Sequence, residues 1–198
     1  MSEPAARPSL RERLTEKLPE ILIEAASVVL ALLLALALNG WNENREMRAR
    51  GDAARAAILA ELGENRQEIQ SAEPKLKEIV ASLSAALSKD APPTHELSIN
   101  LGISLLSEAA WRAALATQAS QTLDFSWMTR VAKVYELQES YQRAQGLAVD
   151  QLSSIPADPN LSGAQIARSL VPRMSALSQL ADGLARSYDD VLEGAHPQ

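Results

Sequence analysis

The chain has 198 residues, no cysteine and a formal net charge of −6. The lack of cysteine excludes a disulfide framework. From Ala91 onward there are seven bases against eleven acids, so no basic stripe exists to neutralise phosphates and nucleic acid is excluded as a partner. Hydrophobic residues at 46% fit a folded chain, and aromatics at 4% with abundant Ala, Leu, Glu and Arg favour helix over sheet.

Residues 1 to 8 carry Pro4 and Pro8 and little apolar content, which reads as a frayed end. Ser9-Leu10-Arg11-Glu12 has the form of a capping box, and Leu10, Leu14 and Leu18 share one face, predicting a short amphipathic helix. Pro19 suits the first turn of a new helix. That helix is the one segment apolar enough to leave water: 18 residues from Ile21 to Leu38, eleven of them Leu, Ile or Val. At about 1.5 Å per residue they approach the ~30 Å of a bilayer core. Their side chains favour insertion by roughly 3–6 kcal/mol, against at most about 3 kcal/mol for Glu24. Trp41, Lys17, Glu24 and Arg45 are placed at the membrane interface, and the simplest reading of Glu24 is a headgroup-level acid on one face with Glu20. An intramembrane site for a proton or a cation is the other reading. Two alternatives compete with a membrane span: an all-round apolar core helix, and a cleaved signal peptide with Ala35-Leu36-Ala37 as its small-x-small site. The run exceeds the usual signal length and four acids precede it, which favours an uncleaved anchor. Four basic residues flank the span on each side, and a weak lean toward a cytoplasmic N-terminus puts the remainder in the periplasm.

From Asn42 to Lys89 the pattern is helical. Leu59, Leu62, Arg66, Ile69, Glu73, Leu76, Val80, Leu83 and Leu87 follow alternating steps of three and four, with Arg66 and Glu73 as breaks. Leu62, Ile69, Leu76 and Leu83 stand out as an interaction seam, either of an intramolecular bundle or of an oligomeric coiled coil. Pro74 predicts a helix break near Ser71 to Pro74. Glu61, Glu64 and Glu68 read as a solvated row opposite the apolar stripe. Asp90 to Asn100 reads as a loop carrying His95, and Ser104 to Ser120 as a short helix with Trp111, Ala110 and Ala114 in the core. Thr122 or Asp124 caps a helix to about Leu152 whose inward face is Trp127, Val131, Val134, Leu137, Tyr141 and Leu152, with Tyr135 at the core margin. Residues 153 to 162 are a loop. Ser162 caps a last helix to about Glu193, with the seam Leu170, Met174, Leu177, Ala181, Leu184, Tyr188 and Val191, Pro172 predicting a kink or the helix's true start, and Gly194 as its stop.

No nucleophile constellation, phosphate loop, dinucleotide fingerprint or zinc motif is present in the sequence. With His95 and His196 as the only histidines and no cysteine, four protein N/S ligands for a structural zinc are not to be had, and no cofactor or metal is expected.

Glu20-Ile21 opens the span, Asn39-Gly40-Trp41-Asn42-Glu43-Asn44-Arg45 closes it, and Leu59, Glu61, Leu62 and Asn65 follow. In this arrangement the chain resembles a bacterial family of short single-pass membrane proteins with a Trp-Asn-Glu motif after the N-terminal span. The stretch from Ala110-Trp111 to Tyr135-Glu136 is similar to its later helices. The resemblance implies topology; the family has no assigned activity to carry over.

The expectation is therefore an all-α protein: a leader with a short amphipathic helix (1–20), a transmembrane helix (21–41), and an antiparallel helical bundle of about four helices (42–198). The role expected is a non-enzymatic, membrane-anchored scaffold or interaction module in the inner membrane. Its partners would be the lipid bilayer and a second copy or another membrane protein. The alternative is an extracytoplasmic ligand-sensing bundle, for which a buried polar pocket between the helices would be the sign; an exposed apolar patch would favour a protein partner.

Overall fold

The computed structural model describes residues 10–88, 99–155 and 162–194, with side chains from Leu22 onward. The expected leader cap at Ser9, the side chain of Lys17, most of the Asp90 loop with His95, part of the 153–162 loop, and His196 lie outside the described residues or side chains. Among the described residues the protein is all-α: α1 (Leu10–Ala86), α2 (Ala109–Ala116), a 3-10 turn (Gln118–Thr122), α3 (Phe125–Ser154) and α4 (Gly163–Glu193). The chain divides into two compact units, Met1–Ala49 and Arg50–Gln198.

The first unit contributes the early part of α1. Its apolar run is long and apolar enough to cross a membrane, with a mean hydropathy of 2.3 over an 18-residue window, none of it buried. The helix passes through Pro19, which is not its first turn.

In the second unit, α1 from Arg50, α3 and α4 are three long staves. Their directions follow from cross-contacts. Arg55 lies over the Trp127 ring at 5.1 Å, and further along both helices Asn65 Nδ2 donates to Gln138 Oε1 at 3.1 Å, so α1 and α3 run parallel. Arg66 pairs with Asp189 and Lys77 with Asp182, so α4 runs antiparallel to α1. Arg173 donates to the Leu147 carbonyl and the Tyr188 hydroxyl to Gln138, so α4 is antiparallel to α3 as well. A fourth stave returns the chain between α1 and α3: an extended segment from Ile99 to Glu108, then α2 and the 3-10 turn. The helix expected from Ser104 therefore starts only at Ala109. Ser104 and Leu106 face inward while Ile103 and Leu105 are exposed, a period of two that belongs to extended chain.

Local chemistry fixes the helix ends. Asp124 accepts from the Trp127 amide at 2.7 Å, and Ser162 and Gln165 form a reciprocal capping box. Helix α4 ends at Glu193 with Gly194 as its cap, and its expected seam is buried throughout. The expected break at Ser71 to Pro74 does not occur, and Pro172 likewise lies inside α4. Both prolines are exposed, as are the residues four positions earlier, Gln70 and Arg168, whose carbonyls each lose a helical donor. The roughly 3 kcal/mol that an interior proline costs is offset by packing of Ile69, Leu76, Leu170 and Met174 on either side.

The buried stripe of α1 is Ile58, Leu62, Asn65, Ile69, Leu76, Ile79, Leu83 and Ala86. Of the nine positions of the expected stripe, Leu62, Ile69, Leu76 and Leu83 are right, Leu59, Arg66, Val80 and Leu87 are displaced by one residue, and Glu73 has no buried neighbour in its place. Leu59 and Val80 are half-buried and Leu87 is exposed, while Arg66 and Glu73 pair with Asp189 and Lys77 at the margin. In α3, Gln138 takes the inward place expected of Leu137, and Leu152 is half-buried.

Gly51 is buried where the 3-10 turn crosses α1, and a Cβ there would run into the Thr122 side chain, with the Ala119 carbonyl 3.5 Å away. Gly63 has nothing within 4 Å of the same position. Helix propensity alone favours Ala over Gly by about 1 kcal/mol at either site. Gly63→Ala is therefore expected to stabilise the protein by about 0.5–1 kcal/mol, whereas Gly51→Ala destabilises it by about 1–3 kcal/mol through overpacking. Denaturant titration of both variants checks this, and Thr122→Ala added to Gly51→Ala is expected to recover most of the loss.

Candidate functional site

Two surfaces qualify for attention: the apolar belt of the first unit, and the place in the second unit where the extended segment crosses α1 and α3.

In the belt, ten large apolar side chains from Leu22 to Leu38 are 56–68% exposed, and Trp41 is 66% exposed. Glu24 and Arg45 are exposed too. The polar groups of the helix are absorbed locally. Ser27 donates to the Ile23 carbonyl at 2.7 Å, and Asn39 to Glu43 at 2.8 Å. Among the described residues of the unit, none covers this surface.

The expected seam of Leu62, Ile69, Leu76 and Leu83 sits elsewhere. All four are 0–3% exposed inside the core of the second unit, packed with residues of α3 and α4. They are consumed by the chain's own bundle.

Beneath the extended segment lies a polar network that sequence reasoning missed. Peptide groups of extended chain need partners, and no strand is present among the described residues. Side-chain amides take that role. Gln145 accepts from the Ser104 amide at 3.0 Å and donates to the Ser104 carbonyl at 3.2 Å. Asn65 does the same for Ser107, accepting at 2.8 Å and donating at 2.7 Å. Gln138 donates to the Ser107 carbonyl at 3.0 Å while its own oxygen accepts from Asn65 and, at 2.7 Å, from Tyr188. Gln142 donates to the Leu106 carbonyl at 3.0 Å. The Tyr141 hydroxyl donates to Ser104 Oγ at 3.3 Å.

Glu61 anchors the end of this row. It is 7% exposed and accepts four hydrogen bonds: from Tyr135 at 2.6 Å, from Ser107 Oγ at 2.6 Å, and from the amides of Ala110 at 3.0 Å and Trp111 at 3.4 Å. The two amides belong to the first turn of α2, which makes no side-chain capping bond of its own from Glu108. A carboxylate from α1 thus caps α2 in its place, where the helix dipole favours negative charge. The Trp111 ring stacks on Tyr135 at 5.3 Å with 13° between planes, holding the phenol in reach. Glu61 is the correction to the expected solvated row; Glu64 is exposed and Glu68 half-buried.

Burial on its own pushes the Glu61 carboxyl up, but the hydrogen bonds from Ser107, Tyr135 and the two amides outweigh it and hold the group below the usual carboxylate range. Tyr135 is pushed well above the ordinary phenol value, first by burial and then by the Glu61 carboxylate that it donates to. Tyr188 moves up for the same two causes, burial and the Glu61 charge. A short acidic residue beside Leu62 carries no sequence sign of burial. The one readable hint was Asn65, whose spacing from Ile58, Leu62 and Ile69 fits the apolar face.

Chemically, the arrangement binds and positions main chain. Every polar atom of Asn65 and Gln138 is engaged, and the Glu61 oxygens are engaged four times over. Beside the segment, a small cleft of about 80 Å³ is lined by residues including Glu68, Ser71, Lys75, Leu101 and Ser104. No family model, characterised protein or solved structure matches this chain.

Removing the carboxylate leaves buried donors on Tyr135, Ser107 and α2 without partners, so Glu61→Ala is expected to cost about 2–4 kcal/mol. Because the folded carboxyl is held below its ordinary value of 4.5, its contribution is fully present above that pH. It is lost as the pH falls through the lowered folded value. A melting-temperature series from pH 7 to 3 should show a shallower acid limb for Glu61→Gln than for the wild type.

Proposed function

We propose that the protein is a single-pass, membrane-anchored helical module that presents its second unit to another protein rather than catalysing a reaction. The observation that carries the anchor is the belt from Leu22 to Leu38, whose ten large apolar side chains are exposed and covered by none of the described residues of its unit. Leaving ten such side chains in water would forfeit roughly 10–20 kcal/mol of transfer free energy, more than the whole stability of an ordinary domain. Lipid is the solvent that removes this cost. Trp41 and Arg45, just beyond the belt, are the residue types that anchor a helix at the headgroups. The resemblance of the span and its Trp-Asn-Glu closure to single-pass bacterial proteins supports the inner membrane as the location, with the second unit on the periplasmic side.

An interaction role is favoured over ligand sensing by how the second unit is filled. The polar groups between α1 and α3 are occupied by the chain's own segment 99–108, not by an open pocket. Apolar side chains are instead displayed outward, with Leu105 83%, Phe125 85%, Ile103 58% and Leu115 52% exposed. Such residues are the usual raw material of a protein contact.

Two charged residues at mid-span test the anchor. Val29→Arg with Leu33→Arg opposes insertion by about 5–7 kcal/mol on the translocon scale, enough to reverse it. The wild-type chain is expected in the pellet after a carbonate wash and the double variant in the supernatant, with a chain of residues 50–198 also soluble and helical by circular dichroism. Recovery of the wild-type chain in the supernatant with an intact amino end would falsify the anchor. For the interaction role, purification in mild detergent followed by cross-linking should recover the chain with a partner or a second copy. A chain that stays alone and monomeric speaks against it.

A further inference from the structure

The segment from Ile99 to Trp111 is attached in an unusual way. Of its apolar side chains, Leu106 is 8% exposed, but Ile103 and Leu105 point outward, and Ile99, Leu101 and Trp111 are only half-buried. What fastens it is polar and comes from the helices: Gln145 on Ser104, Asn65 and Gln138 on Ser107, Gln142 on Leu106, and Glu61 on Ser107 and the start of α2. Most of these bonds grip main-chain atoms. Asn65, Gln138 and Gln145 are themselves buried at 1–6% exposure, on helices whose core is made mainly by α1, α3 and α4; the segment adds Leu106 to it and packs Ile99, Leu101 and Trp111 at its edge. A segment held mostly by polar bonds, with few fully buried apolar contacts, meets the condition for a local opening that leaves the rest folded.

We infer that residues 99–111 form a strap that opens as a unit with Glu61 as its latch, and that opening bares a groove between α1 and α3 which takes an extended polypeptide by its main chain. The occupant is defined by the one already seated there. Gln145 and Asn65 each offer one acceptor and one donor to a single residue, three residues apart along the strap, as a neighbouring strand would. The specificity is for two unblocked peptide groups at that spacing, with a small hydroxyl residue at the second site to reach Glu61. In the closed state the strap competes with any such peptide, so the site is self-inhibited. The inference does not depend on where in the cell the protein resides.

The test uses the full chain in detergent micelles. Four amides, those of Ser104, Ser107, Ala110 and Trp111, donate to side chains of Gln145, Asn65 and Glu61. Their hydrogen exchange is compared between wild type, Glu61→Gln and Tyr135→Phe. Glu61→Gln is expected to speed exchange of these four at least tenfold, with amides in the centre of α4 changed less than twofold. Tyr135→Phe, which keeps the ring stacked on Trp111 and the carboxylate in place, should accelerate the same four by a smaller factor. A labelled synthetic peptide of residues 99–111 should bind a Ser107→Ala chain, whose own strap loses the hydroxyl that reaches Glu61 while the groove keeps the carboxylate, at least tenfold more tightly than wild type, and the same peptide N-methylated at the positions of Ser104 and Ser107 should not bind. Exchange that rises equally in the strap and in α4, in whichever variant folds, overturns the separate opening. Equal binding of the methylated and unmethylated peptides, or no binding of either, overturns the groove.

Discussion

An extended chain that enters a helical bundle brings peptide groups that no ladder will satisfy, and the second unit is arranged around that requirement. Each unpaired buried peptide group would cost on the order of 1–3 kcal/mol. The strap has several, and the cost is removed only because Asn65, Gln138, Gln142 and Gln145 stand at the right heights on two parallel helices. That α1 and α3 run parallel is part of the same solution: the connection between them must travel back along both, and it does so through the seam they share. Gly51 marks the end of the path, where the Thr122 side chain of the 3-10 turn takes the space that a Cβ on α1 would need.

Glu61 joins the strap to the helices on either side of it. Its carboxylate faces four donors from three elements, and the negative charge lies at the N-terminal end of α2. A glutamine would keep the shape and lose the charge, while adding a donor among groups that are all donors. Burial and that charge push the phenols of Tyr135 and Tyr188 above the ordinary phenol value, and both donate inside the core, Tyr135 to Glu61 and Tyr188 to Gln138. The salt bridges Arg66–Asp189 and Lys77–Asp182 lie at the margin and are half-exposed, so they align α1 with α4 more than they stabilise it.

The difference between what could and could not be read in advance is clearest in α1. The apolar spacing located Leu62, Ile69, Leu76 and Leu83 on the inward face, and all four are buried. Four of the five intervening positions were placed one residue late, Glu73 being the exception. A helix face accepts either choice, because steps of three and four differ by 100° in angle and the apolar residues Leu59 and Val80 stand beside Ile58 and Ile79. Asn65 decided the matter and spoke against itself: a polar residue on the true face makes the neighbouring frame look equally good. Gln138 beside Leu137 misled in the same way. Long seams without polar members, such as Leu170 to Val191 in α4, were read without error.

Sequence alone determined the helical class, the cap at Ser162, the seam of α4, and the apolar character of residues 21–38, and it narrowed the cap of α3 to Thr122 or Asp124, because each depends on residues within a few turns of one another. Tertiary structure decided that Ser104 to Glu108 is extended, that Pro74 and Pro172 are passed without a break, that α1 and α3 are parallel, and that Glu61 is buried. These depend on what lies across the bundle. A glutamate is solvated or enclosed according to whether four donors from distant parts of the chain arrive around it, and that meeting is written in no local pattern.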